Sequence, residues 1–258
     1  MIYYLKIIDV VVKINCPDNL YLIDDWKRFF EEEWGKPFLV PKTKNDVSVC
    51  LIGLKTNGIF IAKETLEENI CLPKIDKKKL YFNNILNFSL FVYSLRKLLM
   101  SDLLKKGFLT LHASGFIKDN KAILVTGDSG SGKSTVLKQM INYYYPIGED
   151  MVIIKKNDDD IWAYPTPFNI KIDSNLLTRK SFKVGGVMTI QKNGDFGIEK
   201  LKMSEALVLM IDQTRNILNS PEMAKISFGY LKILAKNTYK ISYKLGEPLI
   251  DLVKKICL

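Results

Sequence analysis

Arginine, histidine and long apolar runs are scarce in this chain of 258 residues, and each scarcity argues against a class of protein. The formal net charge is +10, yet the only arginines are Arg28, Arg96, Arg179 and Arg215, so lysine carries almost all of the positive charge. The planar fork of arginine suits base edges and backbone phosphates, whereas scattered lysines are typical of a solvated surface. We therefore expect no nucleic-acid partner.

Signals for a membrane or for secretion are also missing from the sequence. No apolar run reaches the roughly 18 residues that a membrane span requires. The first ten residues lack the basic stretch, the apolar stretch and the small-residue cleavage site of a signal peptide. The expected location is the cytoplasm, with no membrane partner.

Metal-binding and disulfide patterns are equally poor. The four cysteines lie far apart without a Cys-x-x-Cys pair, and His112 is the only histidine, so a zinc site is not expected. Reduced thiols are expected, because nothing marks the chain as secreted. Apolar residues are what the chain has in quantity: a hydrophobic content of 47% is enough for one substantial core with a small accessory lobe.

The first eighty residues predict a β-rich accessory lobe with one short helix. Residues 24–34 carry aromatic side chains at helical spacing, which favours a core-facing stripe over an aromatic recognition surface. A tight hairpin turn is expected at Asn57-Gly58. The lysine-rich stretch 74–79 is the expected boundary, so the predicted division is an accessory lobe over residues 1–80 and a second domain over residues 81–258.

Helices and strands alternate in the predicted second domain. Residues 84–106 predict a buried helix, and residues 108–117 and 122–126 predict two strands that form a hairpin. A further hairpin is expected at Asn193-Gly194, and Ser204 is expected to cap a later helix. Antiparallel neighbours are not typical of a doubly wound sheet, so the predicted fold class is α/β with a mixed sheet.

A glycine-rich segment between the second of these strands and a helix carries the chemistry. Residues 127–135 match the pattern G-x-x-x-x-G-K-[ST] in full. Glycines let backbone N–H groups close around phosphate oxygens, the helix N-terminus adds a positive dipole end, and Lys133 is expected to reach the β and γ phosphates. The hydroxyl of Ser134 is expected to ligate Mg²⁺. The predicted nucleotide-binding residues are Asp128, Ser129, Gly130, Ser131, Gly132, Lys133, Ser134 and Thr135.

The expected nucleotide is ATP. GTPases read guanine through an N/T-K-x-D segment downstream of the loop, whereas residues 43–46 fit that pattern upstream, in the other lobe. We interpret this match as coincidental. The loop alone does not identify a kinase, because motors, transporters and GTPases share it.

Short segments around the loop occur in a recognisable order. They are Leu-His-Ala-Ser-Gly at 111–115, the loop in the form Gly-Asp-Ser-Gly-x-Gly-Lys-Ser, Ile-Gly-Glu-Asp-Met-Val at 147–152, and Tyr-Pro-Thr-Pro at 164–167. This order resembles the HPr kinase/phosphorylase superfamily, whose core is similar to that of phosphoenolpyruvate carboxykinase. The resemblance covers about residues 108–173 and is absent from residues 1–80. It implies a P-loop kinase core built on a mixed sheet.

The resemblance also implies roles for individual side chains. Glu149 occupies the position of the carboxylate that takes the proton from an acceptor serine hydroxyl, and Asp150 that of the acid close to the metal. Because Glu149 stands where the family has aspartate, the base role stays open between the two acids. His112 matches the family's histidine beside the phosphates, with a satisfied core histidine as the alternative. The predicted catalytic residues are Glu149, Asp150, His112 and Lys133, and the predicted metal ligands are Ser134 and Asp150.

Some family features are not matched. The bifunctional members carry a Leu-Glu-Ile-Arg-Gly segment with a metal-ligating glutamate, whereas residues 169–177 contain no glutamate or arginine, so phosphorylase activity is not implied. The first eighty residues differ from the family's N-terminal lobe, which argues against HPr as the substrate. The family's arginine near the phosphates has two candidates, Arg179 first and Arg215 second.

The sequence therefore predicts an ATP- and Mg²⁺-dependent kinase that phosphorylates a serine hydroxyl of a peptide or protein. The chain is similar to shorter HPr-kinase-like proteins, among them those that phosphorylate a ribosomal peptide precursor such as a lasso peptide. Two alternatives stay open: a kinase of a free small molecule such as serine, and a nucleotide-binding regulatory module without transfer activity. Whether the chain forms a homo-oligomer also stays open.

Overall fold

The chain divides into two compact units between Lys105 and Lys106. The structure, a computed structural model, describes residues 1–16, 23–33, 35–51, 74–76, 79–82, 88–166, 168, 176–192, 195–214, 221–244 and 248–256. The sequence predicted the division near residue 80, so the predicted buried helix over 84–106 lies with the first unit.

Among its described residues, the first unit combines a five-stranded sheet with two α-helices and a short 3-10 helix at Lys36–Phe38. The strands follow the order β1-β2-β3-β5-β4, with antiparallel β1–β2 and β4–β5 pairs and parallel β2–β3 and β3–β5 pairs. Its elements are β1 Ile2–Ile7, β2 Val10–Asn15, α1 Ile23–Glu31, β3 Val47–Leu51, β4 Lys74–Asp76, β5 Lys79–Phe82 and α2 Phe88–Lys105.

Aromatic packing explains why α2 belongs to the first unit. The ring of Trp26 stacks on that of Phe30 at 5.8 Å and meets the edge of Phe91, from α2, at 5.3 Å. All three side chains are buried, so the predicted core-facing stripe of α1 is confirmed. The helix α2 also packs against β2 and β5. Burial of this apolar surface holds α2 to the first sheet.

The described residues at the predicted boundary belong to two strands of the first unit. Residues Lys74–Asp76 form β4, which pairs with Lys79–Phe82 in β5. The lysine-rich composition and the shortness of these two strands hid them from the sequence pattern. The predicted hairpin at Asn57-Gly58 lies outside the described residues.

The described part of the second unit is built on a nine-stranded mixed sheet, which confirms the predicted mixed α/β class. The strand order is β6-β10-β11-β12-β8-β7-β9, and β14 pairs with both β12 and β13. The β12–β8 and β12–β14 pairs are parallel and the other pairs are antiparallel. The strands are β6 Phe108–Leu111, β7 Ala113–Lys118, β8 Lys121–Thr126, β9 Tyr145–Gly148, β10 Val152–Asn157, β11 Asp160–Tyr164, β12 Phe182–Lys192, β13 Gly197–Lys200 and β14 Thr238–Tyr243.

Helices cover both faces of this sheet. The helices are α3 Lys133–Met140, α4 Met203–Asp212, α5 Pro221–Ala235 and α6 Ile250–Lys254. In β8, Leu124 joins a core cluster with α4 and α5 residues, whereas Ile123 and Val125 join a second cluster with α3 and α6 residues. Because successive side chains of a strand point to opposite faces, an uninterrupted apolar run is what such a central strand requires. Among the described helices, none is both long and apolar enough to cross a membrane.

The sheet curls back on itself at His112. This single residue separates β6 from β7, yet β6 pairs with β10 whereas β7 pairs with β8 and β9. The strands between them in the sheet order must therefore curve round to meet at His112. The predicted hairpin is confirmed for β7 and β8, but the single strand predicted over residues 108–117 is interrupted at this point.

Two further local expectations were wrong. The strands β12 and β13 do not form a hairpin across Asn193-Gly194, because each of them pairs with β14. Helix α4 begins at Met203 after Lys202, so Ser204 lies inside the helix and is not its cap. Both errors have one cause: a local turn or cap signal was overridden by the pairing and packing of distant segments.

Candidate active site

Strand pairing gathers the predicted site residues at one edge of the second sheet. Strand β7 runs antiparallel to β8, with Ala113 opposite Thr126, and antiparallel to β9, with Gly115 opposite Gly148. The start of β7 therefore lies beside the ends of β8 and β9. We call this end of the three strands the site edge. His112 directly precedes β7 there, residues 127–132 directly follow β8, and residues 149–150 directly follow β9.

The loop after β8 owes its shape to three glycines with positive φ. These angles are 138° at Gly127, 77° at Gly130 and 111° at Gly132, a region that residues with a Cβ atom rarely adopt. At Gly127 an added Cβ would also lie 2.9 Å from the Oγ atom of Ser131. The N–H of Ser131 donates to the carbonyl of Asp128 at 3.0 Å, which closes the turn. The predicted glycine-rich loop is thus a tight, defined structure.

Helix α3 begins directly at the loop with its first turn open. Its N-cap is Gly132, and no side chain of the described residues caps the N–H groups there. Such groups need acceptors, and the helix dipole makes an anion the favoured one. An added Cβ at Gly130 would meet nothing within 4 Å, so the loop leaves open space above its backbone. These features fit a phosphate group.

The ammonium group of Lys133 lies within the loop. Its Nζ atom donates to the carbonyl oxygens of Gly127 at 2.7 Å and Asp128 at 2.9 Å. Only 7% of the residue is exposed, so the cation is held at the loop and not in bulk solvent. Of the next two residues, Ser134 is exposed and Thr135 half-buried. The loop therefore combines backbone donors, a held cation and an accessible hydroxyl.

The structure brings His112 and Asp150 together. The Nε2 atom of His112 lies 3.1 Å from Oδ1 of Asp150, and the exposed fractions of the two side chains are 13% and 54%. A carboxylate in this position orients an imidazole ring and selects its tautomer. The contact fits a role of His112 beside the phosphates, and it also fits the satisfied core histidine that the sequence left as the alternative.

Asp150 adopts a strained backbone conformation. Its φ angle is 63°, and the N–H of Met151 donates to the carbonyl of Glu149 at 2.7 Å, which closes a three-residue turn around Asp150. Turns of this kind with positive φ are rare and cost energy unless the residue is glycine. The turn leaves the residues of the pair in different surroundings: Glu149 is 9% exposed, whereas the Asp150 side chain is open to solvent. Observed strain of this kind is concentrated at functional sites.

Gln213, which no sequence motif predicted, lies at the same edge. It follows the last residue of α4, and its backbone carbonyl accepts the N–H of His112 at 2.9 Å. Its Nε2 atom donates to Oδ1 of Asp128 at 3.4 Å. No motif surrounds Gln213, and its contacts join segments about a hundred residues apart. Such pairing leaves no signal in a single sequence.

Several other predicted residues lie away from the site edge. Arg179 precedes β12, whose Val184 pairs with Ala122 at the opposite end of β8 from the loop, so Arg179 does not lie beside the phosphate loop. The three consecutive aspartates at 158–160, at the turn between β10 and β11, are also at that opposite end, where Asp160 pairs with Lys183 at 2.8 Å. Arg215 lies outside the described residues.

The segment 43–46 has a structural role in the first unit. The side chain of Asp46 accepts the N–H of Val11 at 2.8 Å, and the N–H of Asp46 donates to the carbonyl of Val11 at 2.9 Å. This reciprocal pair ties the approach to β3 onto β2. It agrees with the interpretation of the guanine-type pattern as coincidental.

The possible metal ligands at the site edge fit a magnesium ion that keeps several waters. They do not fit a metal held entirely by protein ligands. Within the described parts of the chain, no group of three or more His, Cys, Asp and Glu side chains could hold a metal. Magnesium usually keeps several waters and takes one or two carboxylates together with substrate phosphates. The exposed Ser134 hydroxyl and the exposed Asp150 carboxylate, both at the site edge, are side chains of that kind.

Comparison with known proteins finds a weak structural similarity. No family model matches the chain, and no curated protein matches it. A solved structure of the Hpr(Ser) kinase/phosphatase from Coxiella burnetii is similar at a TM-score of 0.33 and 16% sequence identity, over 56% of this chain and 93% of that chain. The second unit is a mixed α/β domain with a glycine-rich loop at one sheet edge, and its function is argued from that site.

The left-handed backbone at Asp150 leads to a stability prediction. We expect Asp150→Gly to be more stable than Asp150→Ala by about 1 kcal/mol, because both variants lose the carboxylate but only glycine relieves the positive φ. Urea unfolding of the two purified variants measures the difference. The matched control is Asp158, with φ 52° at the turn between β10 and β11, where the same pair of substitutions should give a difference of the same sign. A more stable alanine variant at position 150 would contradict this backbone geometry.

Proposed function

We propose that the chain is an ATP- and Mg²⁺-dependent kinase that phosphorylates a serine hydroxyl of a peptide or protein. A ribosomal precursor peptide is the candidate acceptor. The proposal rests on the observation that two groups of residues lie together at the site edge. One is a loop with a held lysine and an open helix N-terminus, and the other is the His112–Asp150 pair.

The nucleotide half of the proposal rests on the loop. The backbone N–H groups of residues 130–135 bind the β- and γ-phosphates, and the ammonium of Lys133 leaves its two carbonyl partners or shares its protons with the phosphate oxygens. Ser134 and Asp150 would hold the metal, which would supply positive charge beside the phosphate oxygens. Phosphoryl transfer needs positioning and charge stabilisation above all, and the residues of the loop supply both.

The acceptor half rests on the two acids after β9. In the proposed step the serine O–H gives its proton to the carboxylate of Glu149, the serine oxygen forms a bond to the γ-phosphorus, and the bond from that phosphorus to the β–γ bridging oxygen breaks to release ADP. Asp150 carries the proton instead if the longer Glu149 side chain does not reach the acceptor. His112 orients the Asp150 carboxylate in either case.

The exposure of Asp150 favours a peptide acceptor over a free small molecule. More than half of its side-chain surface is open, at 54%, so a serine on a larger chain has access from solvent. An enclosed pocket is the usual setting for a small substrate. The two competing functions are a kinase of free serine and a nucleotide-binding regulatory module without transfer.

Mass spectrometry of candidate acceptors tests the proposal directly. The full chain is incubated with Mg·ATP and either a small peptide encoded next to it or free L-serine, and each acceptor is examined for one added phosphate. Phosphate on a serine of the peptide supports the proposal. Phosphate only on free serine favours the small-molecule kinase, and ATP binding without transfer to either acceptor favours the regulatory module.

Lys133 provides the first functional prediction. We expect Lys133→Ala to lower phosphoryl transfer by about 10²-fold or more, because it removes the cation that stabilises charge on the transferred group, while the protein stays folded. Lys138→Ala is the matched control, since Lys138 lies on the same helix with its side chain exposed. Transfer rates and thermal melting are measured for both. Near-normal turnover in Lys133→Ala would contradict a phosphate-binding role for the loop.

The paired acids provide a second prediction that separates base from metal ligand. Glu149→Gln should lower the transfer rate by roughly 10²-fold or more through loss of proton acceptance, with little change in nucleotide affinity. Asp150→Asn should instead weaken Mg·ATP binding and raise the metal concentration needed for activity. Titration calorimetry and rates at varied Mg²⁺ measure both effects.

The outcomes for the two acids distinguish three accounts. The proposed division of roles requires the two variants to differ in nucleotide affinity. Equal loss of affinity in both would mean that the pair serves the metal jointly and that another group is the base. Full activity in both would remove the kinase function and favour the regulatory module.

A further inference from the structure

Gln213 contacts both halves of the candidate site although it belongs to neither motif. The backbone carbonyl of Gln213 accepts the N–H of His112, and its side-chain Nε2 donates to the Asp128 carboxylate in the loop. Only 5% of the residue is exposed. An antiparallel bridge between Leu111 and Thr214 fixes the backbone on either side of this contact. Gln213 is therefore held between the loop and the His112–Asp150 pair.

The orientation of the Gln213 carboxamide follows from its partner. The carboxylate of Asp128 only accepts hydrogen bonds when ionised, so the amide must present its nitrogen to that group. The opposite orientation would place two acceptors against each other. The nitrogen assignment is thus chemically required, and the amide oxygen must point elsewhere.

The amide oxygen lacks a donor. The Oε1 atom of Gln213 is buried, and no group of the described residues donates to it. Buried polar atoms in folded proteins are nearly always hydrogen-bonded, so an orphan of this kind calls for a specific explanation. Because Oε1 and Nε2 share one carbon atom, the orphan oxygen also lies next to the loop. Asp128, which the amide contacts, itself accepts from the Lys133 ammonium through its backbone carbonyl.

We propose that the Gln213 side-chain oxygen accepts a hydrogen bond from the O–H group that attacks the terminal phosphate. This inference rests on the proposed function. The attacking O–H belongs to the acceptor hydroxyl during transfer and to water during hydrolysis, and the same acceptor atom orients either one. The Nε2–Asp128 contact and the His112 backbone contact fix the position of the amide. Gln213 thereby orients the nucleophile, while the proton itself goes to the acid after β9.

Two substitutions at position 213 test the role in rate measurements. Gln213→Met keeps the length and the backbone carbonyl but removes the amide, and Gln213→Glu keeps the shape but places a carboxylate against Asp128. Release of ADP from Mg·ATP without added acceptor should fall about 10-fold or more in kcat for both variants, with KM for ATP and ADP affinity changed less than about threefold. Gln139→Met, at the other end of α3, is the control and should keep the wild-type rate.

A rescue experiment excludes a merely structural effect. In the Asp128→Asn background, the added substitution Gln213→Glu should cost less than about threefold, because the asparagine amide introduced at position 128 donates to the new carboxylate and an acceptor oxygen is retained. In the wild-type background the same substitution is expected to cost about 10-fold. Equal losses in the two backgrounds, or a loss confined to KM, would overturn the inference.

A spectroscopic measurement covers the case in which turnover without an acceptor is too slow to measure. The side-chain amide signals of Gln213 in a ¹⁵N–¹H spectrum are identified by their loss in Gln213→Met. They should shift more with Mg²⁺ and a non-hydrolysable ATP analogue than with Mg·ADP, because a water at the terminal phosphate reaches Oε1 only in the former. Equal responses would overturn the role of Gln213, whereas failure of both nucleotides to bind would overturn the proposed function itself.

Discussion

The antiparallel pairing of β7 with both β8 and β9 is the constraint on which the candidate site depends. Because β7 runs antiparallel to both of its neighbours, its first residues lie beside their last residues. The phosphate loop and the Glu149–Asp150 turn follow those two ends, and His112 precedes the start. A register shift of one residue in either pair would invert the faces of a strand that is buried on both sides. The core thus fixes the relative position of the loop and the acids.

The interruption of the sheet at His112 gives this residue a position that a continuous strand would not. Its backbone N–H is released from the ladder and donates to Gln213, while its side chain contacts Asp150. Asp150 in turn keeps a positive φ angle that costs energy in isolation. The surrounding strands hold this conformation, because β9 pairs with β7 before the turn and β10 pairs with β6 after it. The strained backbone of Asp150 and the bend of the sheet at His112 therefore occur at residues that lie together at the site edge.

The parts of the site that sequence predicted are those with local signals. Glycine at positions 127, 130 and 132, followed by lysine and a helix, is a local pattern, and the loop has the expected strand before it and helix after it. The aromatic stripe of α1 and the β7–β8 hairpin were predicted for the same reason.

The interruption at His112, the position of Gln213 and the place of α2 in the first unit could not be predicted. Each depends on pairing or packing between segments far apart in the chain, for which one sequence holds no periodic signal. Arg179 was misplaced because order along the chain does not reveal which end of a strand a residue approaches. The roles of Glu149 and Asp150 came from resemblance, and they stay predictions.

The most direct test of the central claim, that residues 127–135 form the nucleotide site of a kinase, is a crystal structure of the chain with Mg·ADP. The account predicts the β-phosphate within hydrogen-bond reach of the backbone of residues 130–135, with Mg²⁺ on the Ser134 hydroxyl. A nucleotide whose phosphates lie elsewhere on the protein, or a metal ion that leaves Ser134 uncontacted, would contradict it.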